Sequence, residues 1–242
     1  MTDPWGSPPT DPPRSPTPDH RYKDLWGLTT VLRIGLAVSA GLSVVALGSG
    51  FLNISVTAKQ VYGATVSSSQ ATLNTWLQLI LGWIWIIVFV VIGIIFMRWT
   101  YFTKCNAHAL ANGLKFKPGW SVGWYFIPIF TLWKPYDALV ETFRASHPDF
   151  GEDWAHAPRP GMLPLWWALW ILHSSLNRGT FRMYMRAETP RDELHAAQLE
   201  VFSDVVLLPV SLLALSLVGT LYVLQSEKHR RLSEEGLSVQ TP

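Results

Sequence analysis

Charge is what this sequence has least of. Asp, Glu, Lys and Arg make up 15% of its 242 residues, against about 25% in an ordinary soluble domain. With 49% of the chain hydrophobic, that deficit excludes the soluble class and points to a multi-span membrane protein. Cysteine is nearly missing too: Cys105 stands alone, which excludes an intramolecular disulfide. The net charge is only +2 and its basic residues are scattered, which argues against a nucleic-acid partner. The first thirty residues lack the charged, apolar, small-residue order of a cleaved signal peptide, so the first apolar run is expected to be retained as a span. Ionisable groups are almost absent from the apolar runs, where they tend to mark function. The sequence shows no paired nucleophile and base, phosphate loop or metal signature. A non-enzymatic protein without cofactor or metal is the expectation.

What the chain does have is tryptophan, thirteen of them, a residue favoured at membrane–water interfaces. Residues 1–24 are proline-rich and polar and read as a disordered tail, with Pro9-x-x-Pro12 and Pro13-x-x-Pro16 inside it. Residues 25–225 read as an all-α domain with four spans, at about 32–52, 76–98, 161–178 and 203–224. These lengths are set against the roughly 20 helical residues a bilayer core requires. Residues 53–75 read as an external loop, and Asn53-Ile54-Ser55 in it matches a glycosylation acceptor too near the span to carry weight. Span two is expected to run on beyond the bilayer, because Trp99, Phe102, Asn106 and Ala109 keep one helical face, and to stop near Gly113. Thr189-Pro190 with Asp192 and Glu193 is a strong helix start. That helix is expected to continue into span four, and residues 226–242 form a basic tail.

Between spans two and three lies Gly119–Tyr136, greasy, aromatic and interrupted by Pro128. It is short for a helical crossing. If it stays on one side and both termini are cytoplasmic, 14 Lys and Arg fall inside and 5 outside; if it crosses, the split is 12 to 7. The positive-inside rule favours the first, although Arg178, Arg182, Arg186 and Arg191 then sit outside. The block 119–146 is therefore expected to be a cytoplasmic interfacial or re-entrant hairpin followed by a short amphipathic helix. That helix opens at Lys134-Pro135, with Tyr136, Leu139, Val140 and Phe143 on its greasy face and Asp137, Glu141 and Arg144 on its wet one.

A family resemblance rests on this block. Trp99, Asn106-Ala107, Pro118-Gly119-Trp120, Gly123-Trp124, Phe126-Ile127-Pro128, Leu132, Lys134-Pro135-Tyr136, Glu141 and Arg144-Ala145-Ser146, with Trp166-Trp167-Ala168-Leu169-Trp170, resemble the domain of unknown function 4328 family of bacterial membrane proteins. The resemblance covers roughly residues 76–225 and implies an inner-membrane architecture without implying an activity. Thr131 and Asp137 depart from it, where asparagine and glutamine are expected.

Several polar groups carry more than one reading. Cys105-x-x-His108 offers two metal ligands where a closed zinc site takes four. His147, Asp149, Glu152, Asp153 and His156 are a solvated loop or a weak cation site. Asp137, Glu141 and Arg144 are a wet helix face or a headgroup or partner contact beside Lys134. His173 and Asp204 are interface residues or a pair joining spans three and four. The expected role is a structural module interacting with membrane lipid, a protein partner or a second copy. The alternative is a small transporter or channel component using 119–136 as a re-entrant element.

Overall fold

A computed structural model of the chain describes residues 21–240. Six α-helices run through them: α1 Trp26–Val61, α2 Ser68–Leu110, α3 Pro118–Gly123, α4 Lys134–Ala145, α5 Met162–Tyr184 and α6 Pro190–Gln240. Single 3-10 turns lie at Trp124–Phe126, Phe130–Leu132 and Trp154–His156, and no strand occurs among the described residues. The proline-rich stretch 1–20 lies outside the described residues.

Three helices, α1, α2 and α6, are long and apolar enough to cross a membrane. The fourth expected span corresponds to α5. Its 23 residues extend about 34 Å, but its tryptophans, histidine and arginines leave it less apolar than the other three. The loop expected at 53–75 is mostly helix. α1 continues to Val61 and α2 begins at Ser68, so only a six-residue turn remains, with Gly63 at φ 71°. The Ser67 hydroxyl caps α2 by accepting from the Gln70 amide at 3.2 Å. Polarity there does not mark where the helices end. Thr189 caps α6 as expected: Asp192 N–H donates to its Oγ1 at 3.2 Å, and its own N–H and hydroxyl donate to Asp192 Oδ2 at 3.0 and 2.7 Å. α6 then continues through Pro209 without a break.

The long helices pack α2–α1–α6–α5. Glycine sets the spacing at two crossings. A Cβ on Gly50 of α1 would lie 2.6 Å from Val201 Cγ2 of α6, and one on Gly35 would lie 3.1 Å from Ile92 Cγ1 of α2. The core is aromatic and aliphatic, with Leu32, Trp99, Phe143, Leu163, Trp166, Trp167, Val210 and Leu221 buried together. α2 differs from its neighbours. Its most apolar stretch is entirely unburied, with Trp76, Ile80, Trp83, Ile87 and Phe89 exposed. Such a face is stable against lipid and not against water.

Polar bonds join the helices at both ends. At one end Asn74 Nδ2 of α2 donates to Asn53 Oδ1 of α1 at 2.9 Å, and the Asn53 amide reaches the Tyr184 hydroxyl at the end of α5 at 3.5 Å. Tyr184 in turn donates to Glu200 of α6 at 2.6 Å. All four long helices are thus linked in one relay. The candidate glycosylation residue is one of its members and lies inside a helix.

Candidate functional site

The opposite end holds a buried polar clasp. Lys104, on the part of α2 that projects beyond the expected span, is 0% exposed, and its ammonium pairs with Glu141 of α4, 9% exposed. The Glu141 carboxylate also accepts the backbone N–H groups of Lys115 and Phe116, the latter at 3.1 Å. One side chain therefore neutralises a buried cation and closes the loop after α2. Burial holds the Lys104 ammonium below its ordinary pKa, opposed by the charge and hydrogen bond of Glu141.

Two residues further along α2, Asn106 grips the incoming chain. Its Oδ1 accepts from Lys23 N at 2.9 Å, and its Nδ2 donates to Lys23 O at 2.8 Å and to Gln225 Oε1 of α6 at 3.3 Å. Gln225 donates onward to Thr103 O at 2.8 Å and Ser146 Oγ at 3.1 Å. Tyr22 stacks on His229 with ring centroids 3.9 Å apart. The chain is therefore fastened to α2 and α6 from Tyr22 onward, within the stretch the sequence assigns to the tail. One turn past Gln225, the buried Lys228 donates to Ala145 O and Phe150 O, both at 2.8 Å. Ala145 is the last residue of α4 and Phe150 lies in the loop after it, so the ammonium caps the helix and holds that loop against it.

Burial pushes Lys228 down to about 8. With a folded-state pKa below the unfolded one, the native state binds fewer protons between the two values, and stability rises with pH there. Relative to the Lys228→Met variant, the wild type is expected to gain stability from about pH 8 up to the ordinary lysine value of 10.5, and to run parallel to it below pH 8. Denaturant unfolding in detergent at stepped pH checks this. Parallel curves throughout would mean that the ammonium is solvated.

The aromatic block hangs from this clasp. Pro118 opens α3 at its first turn. Trp120 and Trp124 stack at 4.7 Å, and Trp124 meets Phe130 at 5.3 Å across the turn. A Cβ on Gly123 would come within 3.3 Å of the Trp120 ring. Tyr125 points inward to Phe96 of α2 and Trp170 of α5. The indole of Trp167 in α5 donates to Leu132 O at 2.8 Å. At the tip, Ile129 has φ 69° and ψ −59°, and Phe130 N–H donates to Pro128 O at 2.8 Å. This is a γ-turn of the rare, strained hand, occupied by a β-branched residue that avoids positive φ. Pro128 and Gly119 are exposed. Lys134 and Pro135 begin α4, and the Tyr136 hydroxyl accepts from Arg159 at 2.6 Å.

The other sequence candidates separate. Trp99 is buried and its indole donates to Thr29 Oγ1 at 3.3 Å. Glu141 does not belong to a wet face with Asp137 and Arg144, because α4 lies against the projecting end of α2 and turns this carboxylate onto Lys104. Asp137 is exposed, and the Arg144 Nε is buried without a hydrogen-bond partner. His173 does not meet Asp204. Its Nδ1 faces the hydroxyl and carbonyl of Ser203, at 3.1 and 3.2 Å, since Ser203 occupies the α5-facing side of α6 and the next residue is turned about 100° away. His108 Nε2 contacts Phe116 O at 2.9 Å, and no metal-binding group of three His, Cys, Asp or Glu occurs among the described residues. The loop acids line an open surface cleft with Asp149, Glu152, Asp153 and His156 on its walls, and Asp149 pairs with Arg231 at 2.7 Å.

Lys104, Gln225 and Lys228 escaped the sequence reading. A usable signal existed for the first: Thr100, Thr103 and Ala107 are its helical neighbours, small enough to leave a lysine room inside.

Fold and clasp together define an all-helical protein with membrane-span-like helices, closed at one end by buried polar contacts. The chain belongs to the domain of unknown function 4328 (DUF4328) family, whose match covers residues 62–222. That region contains Lys104, Asn106, Glu141 and Ser146, while Lys23, Gln225 and Lys228 lie beyond it. No match was found among curated proteins or among solved structures.

Proposed function

We propose that this is a four-span, non-enzymatic membrane protein of the plasma membrane, with both termini cytoplasmic. Its aromatic hairpin enters the inner-leaflet interface as a lipid-contacting platform. The carrying observation is the apolar rim of the hairpin: Phe126 is 73% and Ile129 69% exposed, with Trp120, Phe130, Leu132 and Trp133 exposed beside them. A strained turn presenting isoleucine and phenylalanine outward suits lipid and is unfavourable in water.

The vertical dimensions support the placement. The clasp and the far-end relay lie about 38 to 48 Å apart along α1, α2 and α6 at about 1.5 Å per residue. A bilayer with its headgroups is about 40 to 45 Å thick. α5 covers about 26 Å from Trp167 beside the hairpin to Tyr184 in the relay, near the thickness of the hydrocarbon core, which supports it as the fourth crossing. The hairpin reaches no deeper than Phe96 and Trp170, a shallow entry. The filled aromatic core between the helices favours a platform over a transport route.

A nitroxide on Ile129→Cys, in a Cys105→Ala background in vesicles, reports depth. Collisions with oxygen should dominate at position 129, and collisions with a water-soluble nickel complex at an Asp153→Cys control. Equal nickel accessibility at the two sites would sink the hairpin placement. A solute flux that Pro128→Ala abolishes while the label depth stays unchanged would favour the transporter reading instead.

A further inference from the structure

The end of the bundle opposite the clasp holds four arginines that no carboxylate among the described residues pairs with, although Glu188, Asp192 and Glu193 follow close by in the chain. Arg178 and Arg182 lie one turn apart near the end of α5, and Arg186 follows one turn later, just past the helix end at Tyr184. Arg191 and His195 open α6 beside them. Arg182, Met183, Arg186, Asp192 and His195 line an open surface cleft of about 210 Å³. Among the described residues, no carboxylate lies within ion-pair distance of any of these four arginines, whereas Arg230 and Arg231 at the other end are held by Glu227, Glu234 and Asp149. Asp192, the carboxylate on the cleft wall, turns its Oδ2 to Thr189.

Folding alone does not account for this arrangement. A helix C-terminus favours cations within its last turn, which serves Arg182 but not Arg178. Like charges four residues apart repel. Basic residues at this end also run against the charge bias that orients the bundle. A second observation fixes their level. Phe181 and Met185 form an adjoining exposed apolar stripe, 66% and 70% exposed. The guanidinium groups therefore stand at the border of the apolar layer, where lipid phosphates lie.

We propose that Arg178, Arg182 and Arg186, completed by Arg191 and His195, form a phosphate-binding strip for the headgroups of anionic phospholipids at this membrane face. The guanidinium fork matches two phosphate oxygens at once, and phosphate supplies the direct partner that Glu188, Asp192 and Glu193 do not give these arginines. The strip rests on the four-span reading for bringing this end to a membrane surface, and on nothing in the hairpin.

The test uses the full chain in vesicles, with a fluorophore on Ala187→Cys in the Cys105→Ala background. Quenching by acyl-nitroxide phosphatidylglycerol is compared with quenching by acyl-nitroxide phosphatidylcholine at equal content. The anionic lipid should quench about fivefold more strongly, as a strip of several arginines at a charged surface implies. Arg182→Gln/Arg186→Gln should bring the ratio close to unity, and Arg230→Gln/Arg231→Gln should leave it unchanged. Equal quenching by both lipids in the wild type overturns the strip while leaving the four-span placement intact. Quenching by neither lipid removes this end from the membrane surface and overturns both. Loss of the preference in millimolar inorganic phosphate would assign the site to a soluble anion and overturn the lipid assignment.

Discussion

Replacing Glu141 with alanine is expected to destabilise the protein by about 3 to 5 kcal/mol, the range for removing one partner of a buried ion pair. The loss has two sources. Lys104 is fully buried and would retain an ammonium with nothing to neutralise it. The backbone N–H groups of Lys115 and Phe116, now held by the same carboxylate, would lose their acceptor in a half-buried loop. Glu141→Gln keeps a single acceptor oxygen, so it should recover one of the two backbone bonds and only part of the stability. The double variant Lys104→Met/Glu141→Gln should recover most of it, because the desolvated charge is gone. Denaturant unfolding in detergent gives all three values. A single-variant loss below about 1 kcal/mol would mean that water reaches the pair. The same substitution should also raise nickel accessibility at Ile129, since the loop closed by Glu141 is the stem of the hairpin.

Trp99→Ala is the second large effect, again about 3 to 5 kcal/mol, the usual range for emptying a buried aromatic site. Trp99 sits where α1, α2 and the aromatic block converge, with Phe96 at 6.0 Å and Thr29 accepting its indole N–H. Trp99→Phe keeps much of the volume and loses the hydrogen bond, so about 1 to 2 kcal/mol is expected. The ordering of the two variants is the informative outcome. If phenylalanine is as damaging as alanine, the Thr29 bond outweighs the packing, and α1 is positioned by that bond. A loss below about 1 kcal/mol for alanine would contradict the buried placement.

The sequence was readable where local chemistry decides. Pro135 fixes the start of α4 and Thr189 the start of α6, because a helix N-terminus needs a residue without a free N–H or with a capping oxygen nearby. Gly113, at φ 74°, follows the end of α2 as its conformational freedom predicts. Polarity misled where the partner lies far away in sequence. Asn53 looked like the start of a loop because its partners, Asn74 and Tyr184, are on other helices. Glu141 looked wet because its spacing groups it with Asp137 and Arg144, and only the tertiary position of Lys104 buries it while Asp137 stays exposed. Ser203 was passed over in favour of Asp204 because charge draws attention, while the helix turn that selects which of the two meets His173 is set by the packing of α5 on α6.

The two polar ends fix a length. Because the clasp ties α2, α4, α6 and the incoming chain, and the relay ties all four long helices, tilting α2 or α6 alone would break bonds at both ends. The bundle therefore resists the usual accommodation of hydrophobic mismatch by helix tilt, and a bilayer of the wrong thickness must itself stretch or thin around it, at a fraction of a kcal/mol per Å. On the four-span placement proposed above, the protein would act as a gauge of membrane thickness, most at ease where the whole bilayer, headgroups included, equals the interval between Asn53 and Asn106.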